Sequence, residues 1–163
     1  TFWLLRSSPL SMHDLLWSKF WVGTLPLLAL ALGIVGATNY LLKTSEFIMW
    51  VSLFSIVLLT FAIAGMAIGF GTLYPQFETE NAAQIPTSFG GLVFMMSAVG
   101  IIGGTIILEA RPVYAFLSAR MYRTEVAMTE VVVGFSLAAL LCISATVIPI
   151  RIALRRMEAT ERG

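Results

Sequence analysis

An all-α integral membrane protein is the fold class this sequence predicts, and three observations predict it. Of its 163 residues, 58% are hydrophobic and only 12% are charged, about half the charged share of a soluble domain. Four uncharged runs are long enough to cross a bilayer, whose roughly 30 Å of hydrocarbon takes about 20 helical residues. None of the runs alternates with period two, so they read as helices and not as barrel strands. The expected architecture is four transmembrane helices preceded by a short amphipathic interfacial helix, in a single transmembrane domain covering 1–163.

The interfacial helix is expected over 8–19, inside the stretch "LRSSPLSMHDLLWSKFW". Ser8 before Pro9 fits an N-cap with proline at the first helical position, and Ser11 with Asp14 offers an alternative capping box. Met12, Leu15, Leu16 and Phe20 then share one helical face, while His13, Asp14 and Ser18 lie elsewhere. Trp17 and Trp21 sit where an aromatic belt belongs, and Lys19 can snorkel to the headgroups. On these residues alone the segment could be a plain membrane-surface anchor.

The spans follow at 20–42, closed by Lys43; at 47–73, opened after Glu46; at 89–108, ended by Glu109; and at 131–150, ended by Arg151. A cytoplasmic tail, 151–163, completes the chain. Four spans put both ends on one side. With those ends cytoplasmic, Arg6, Lys19, Arg151, Arg155, Arg156 and Arg162 are inside, against Lys43, Arg111, Arg120 and Arg123 outside. Positive-inside bias therefore favours a multi-pass cell-membrane protein with both ends cytoplasmic. The chain starts at Thr1, runs almost at once into an apolar helix and lacks the order of a signal peptide, so it reads as a fragment of something longer.

Several function classes lose support on composition. A net charge of +1 with scattered basic residues gives no nucleic-acid footprint. Cys142 is the single cysteine and His13 the single histidine, so the chain offers neither an intrachain disulfide nor a Cys-based metal cluster nor a His-His or His-Cys metal pair, and no cofactor is expected in it. "GMAIGFG" has no GxGxxG spacing and no following Lys-Ser/Thr, and it lies within a span. Glu78 and Glu80 have no His or Lys close in sequence, so a solvated loop is favoured over an acid-base pair. Glu109 and Arg111 border the end of the third span, where they either snorkel to water or form a gate at the outer face. Small residues recur every fourth position at Ala29, Gly33 and Ala37, at Gly65 and Gly69, and at Gly100 and Gly104, a pattern that suits close helix packing or a dimer interface.

The run "LLRSSPLSMHDLLWSKFW" resembles the coupling-helix segment of ABC-2 type transporter permeases, with Pro9, Leu10, Ser11, Asp14, Leu15, Leu16 and Lys19 at the matching positions. Ser18 stands where that family usually has glycine. "LYPQFETENAAQIPTSFGGLVFM" is similar to a segment of an ABC exporter family. The resemblance implies a membrane-spanning permease part of an exporter, driven by a separate ATP-binding cassette subunit and paired with a second permease copy or half. It implies that Pro9, Ser11, Met12, His13, Asp14, Leu15, Leu16 and Trp17 contact the ATPase subunit. It also implies that Glu109–Glu130 is a long outer connection. No P-loop is present, so the chain is expected to be no enzyme, with ATP hydrolysis in another chain or a missing part. The alternatives are a non-transporting membrane scaffold or assembly subunit and, more remotely, an intramembrane transferase.

Overall fold

Among the described residues the apolar runs fold as four long helices. A computed structural model describes residues 12–74, 88–122 and 128–161. Helix α1 is Met12–Leu42, α2 is Glu46–Leu73, α3 is Phe89–Tyr122 and α4 is Met128–Glu161. All four are long and apolar enough to cross a membrane. Only 11% to 17% of the most apolar window of each helix is buried within the bundle. The outward face is made of side chains such as Leu30, Phe54, Val99, Ile107 and Leu140. So large an apolar exterior needs a cover other than water, which is the condition of a multi-pass membrane protein.

Among the described residues no separate interfacial helix precedes the first span. Residues 8–11 lie outside the described residues, and from Met12 onward the backbone is continuous with the first apolar helix. The third helix also departs from expectation. It does not stop at Leu108 but runs on through Glu109, Arg111 and Pro112 to Tyr122. Of the expected long connection over Glu109–Glu130, residues 123–127 lie outside the described residues, and 109–122 and 128–130 are helical. The cause lies across the seam: Gly134 of α4 leaves room for the Pro112 ring, which is fully buried. A β-carbon at Gly134 would stand 2.7 Å from Pro112 Cγ and 3.1 Å from the Leu108 carbonyl oxygen.

The ends of the helices are shaped locally. Lys43 takes a left-handed backbone (φ 49°) at the end of α1. Its N–H donates to Tyr40 O and the Thr44 N–H to Asn39 O, each at 3.3 Å, which closes the helix with a Schellman pair. Ser88 caps α3: its Oγ accepts from the Gly91 N–H at 3.1 Å.

The core forms where α2, α3 and α4 converge. Ala62, Met66, Cys142 and Ala145 are buried there, with Leu58, Phe70, Phe94 and Ile101 packed around them. Gly65 and Gly69 make the contact between α2 and α4 possible. A β-carbon at Gly65 would meet backbone atoms of Thr146 at 2.9 Å, and one at Gly69 would meet the Pro149 carbonyl carbon at 2.8 Å. The stripe on α1 is different, since nothing lies within 4 Å of Gly33. Gly69→Ala is expected to cost about 1–3 kcal/mol through overpacking. Gly33→Ala should be neutral or stabilising by up to about 1 kcal/mol. Equilibrium unfolding in detergent micelles checks both, and equal effects would contradict the described seam.

Candidate functional site: a polar seam inside the bundle

In an apolar bundle the informative side chains are the polar ones that turn inward. They gather on α2. Asn39 of α1 donates from Nδ2 to Ser52 Oγ at 2.6 Å, and Ser52 in turn donates to Met49 O at 3.0 Å. Thr44 Oγ1 donates to Asn39 Oδ1 at 3.1 Å, so the Asn39 amide is held from two sides. One turn further along α2, Ser55 Oγ donates to Glu109 Oε1 of α3 at 2.6 Å. Ser55 is buried and Glu109 half-buried. Beyond Glu109 on the same helix, Thr105 gives its hydroxyl proton to Ile101 O at 2.8 Å. Its oxygen is left to accept from the Cys142 thiol of α4 at 3.5 Å.

The register of α2 against α3 shows where this seam lies. Phe47 stacks on Phe116 (centroids 4.0 Å apart), Ser55 meets Glu109, and Tyr74 meets Phe89. The two helices run antiparallel, and Glu46 to Ser55 is about 13 Å of helix at 1.5 Å per residue. Glu109 thus lies within the continuous helix α3, at the level of α2 about 13 Å from its first residue. Arg111 is exposed on the far side of α3, two residues on and roughly 200° around the helix axis. Glu109 and Arg111 are neighbours in sequence that the helix turns apart.

The other expected site residues fall at or beyond the start of α1. Pro9 and Ser11 lie outside the described residues, as do the side chains of Met12, His13, Leu15 and Leu16. Asp14 and Trp17 are exposed. The Trp17 ring stacks on Phe20 at 5.7 Å and meets Trp21 edge-on at 6.0 Å. Phe20 and Trp21 both touch Phe61 of α2, so the aromatic cluster ties this end of α1 to the bundle. Sequence reasoning missed Asn39, Ser52 and Ser55. Their one signal was an amide and two hydroxyls in otherwise apolar runs.

The sequence profile of a family described as "Putative ATP-binding cassette" matches residues 1–161. The chain belongs to this family. No curated protein and no solved structure matches it. Membership corrects three expectations. The family is not that of the ABC-2 type permeases, although the stretch from Leu5 to Trp21 resembles their coupling segment. A capping serine, a proline, a leucine pair and a snorkelling lysine serve any interfacial helix, so a short segment discriminates less than a match along the chain. The exporter-permease function falls with that resemblance, and the scaffold alternative gains no specific support. The exclusion of nucleotide-linked enzyme activity rested on a missing P-loop and an assumed partner ATPase. A family named for a nucleotide-binding unit overturns that exclusion.

The Ser55–Glu109 bond is expected to couple α2 to α3 measurably. A double-mutant cycle of Ser55→Ala and Glu109→Ala should give about 0.6–1.7 kcal/mol, the range of interhelical hydrogen bonds in membranes. Additive single effects would mean that the bond contributes nothing.

Proposed function

We propose that this chain is the membrane-embedded part of an ATP-binding cassette protein, with a helix packing that follows the nucleotide state of the cassette. Family membership over residues 1–161 carries the reading, because it joins the cassette to a chain of four membrane-length helices. The energetics are those of a two-state bundle: nucleotide shifts the helices only by the difference in its affinity for the two packings. The tight seam between α2 and α4, through Gly65 and Gly69, moves as one body in this proposal. The seam between α2 and α3 holds fewer close contacts and a hydrogen bond that can be remade, so the change falls there.

In the same proposal the end bearing Arg151, Arg155 and Arg156 is cytoplasmic, since these exposed arginines directly follow the last apolar run. In it Pro9, Ser11, Met12, His13, Asp14, Leu15, Leu16 and Trp17 face the cassette from that side. Glu109 then stands nearer the outer end of the bundle.

Trp50 and Tyr114 are exposed and at matching levels on α2 and α3, which makes them suitable spin-label positions. With Cys142→Ser as background, labels at these two sites in the intact protein should show a distance change of about 1–5 Å between ATP and ADP states. Asp14→Lys should weaken nucleotide-dependent change without preventing membrane insertion. An unchanged distance with ATP bound would overturn the coupling, and failure of the intact protein to bind ATP would overturn the cassette reading itself.

A further inference from the structure

We infer that Glu109 and Ser55 form a binding site, at membrane depth, for a lipophilic organic cation. The inference rests on the membrane-embedded half of the proposed function and is independent of the nucleotide half. It starts from a charge deficit. The Glu109 carboxylate receives one hydrogen bond, from Ser55 to Oε1, and its Oε2 makes none among the described residues. No cation of the described bundle faces it. Arg111 points away around α3, Lys43 lies in the turn between α1 and α2, and Arg120 is near the far end of α3. On α2 the one charged residue is Glu46, and between Glu130 and Arg151 α4 has none. An ionised carboxylate away from water costs several kcal/mol unless a counter-charge joins it. In its ionised form Glu109 is one positive charge short among the described residues.

The surroundings decide which cation fits. A hydrated metal ion asks for six or more oxygen ligands, and here a single carboxylate and a single hydroxyl converge. Phe116 lies two turns from Glu109 on the same face of α3, stacks on Phe47, and has Phe135 close by, 6.4 Å from Phe47. Aromatic faces attract delocalised or alkylated cations within about 6 Å of the ring. Glu109 is half-buried, so part of the residue stays accessible. Two helical turns are about 11 Å along the axis, so only a bulky, weakly hydrated cation can pair with Glu109 and also reach the ring cluster. The hydroxyl of Ser55 keeps the carboxylate oriented toward the incoming charge.

The test uses the intact protein in phosphatidylcholine vesicles without nucleotide, with tetraphenylphosphonium as the probe and empty vesicles to subtract partitioning. One saturable site is expected. Glu109→Gln should weaken it by about tenfold or more, because the counter-charge is lost. Ser55→Ala should weaken it by about 3- to 10-fold, the effect of one hydrogen bond to a charged group. Glu46→Gln, outside the site, should leave it unchanged. A second measurement needs no variant: tetraphenylphosphonium should slow modification of Glu109 by a hydrophobic carbodiimide, read by peptide mass. Absence of saturable binding, equal affinity in Glu109→Gln, or an unchanged rate of modification would overturn the site and leave a proton as the only occupant of Glu109. Membrane insertion, followed by alkaline extraction, separates that result from failure of the membrane reading.

Discussion

The whole bundle depends on how closely α2 and α4 can approach. In lipid there is no hydrophobic gain in bringing two apolar helices together, so contact area at short range must supply the attraction. Gly65 and Gly69 provide it by letting the backbone of α2 lie against Thr146 and Pro149. Once these two helices are joined, Ala62, Met66, Cys142 and Ala145 close the core, and α3 packs on it through Phe94 and Ile101. Helix α1 is added at the side, held by Asn39 at one end and by the Phe20–Phe61 rings at the other.

On that scaffold the polar side chains become specific instead of merely tolerated. Hydroxyls such as Thr24 and Thr60 satisfy themselves on their own helix, at Phe20 O and Ile56 O, and ask nothing of a neighbour. Asn39 and Glu109 reach across to another helix, and both land on the serine face of α2. That difference separates packing from recognition. A hydroxyl bonded to its own helix is invisible to the rest of the bundle. A carboxylate held by one serine couples its own charge to the relative position of two helices.

The helical class and the number of long apolar elements were legible in the sequence, because length and the lack of charge decide them. The extent of the third helix was not. Glu109, Arg111 and Pro112 in succession look like the end of a span, yet the fold carries them because Gly134 accommodates the proline from a different helix. No local pattern contains that information. The same holds for Ser55, an ordinary serine in an apolar run until Glu109 arrives opposite it. Glu109 itself was legible as a candidate, but its bond to Ser55 was not. The coupling-segment resemblance misled for the opposite reason, since its residues satisfy the general chemistry of a membrane interface.

One further property follows from where the prolines fall. Pro26, Pro112 and Pro149 lie inside α1, α3 and α4, whereas α2 contains none. Each proline removes one rung of its helix ladder and lowers the resistance to bending at that point. Helix α2 keeps an unbroken ladder and touches all three of the others. Mechanically the molecule is a stiff central rod carrying three jointed ones, so a load applied to any outer helix is referred to the same axis. Glu109 lies beside the joint of α3, where a small flexion of that helix moves the carboxylate most directly against the rod.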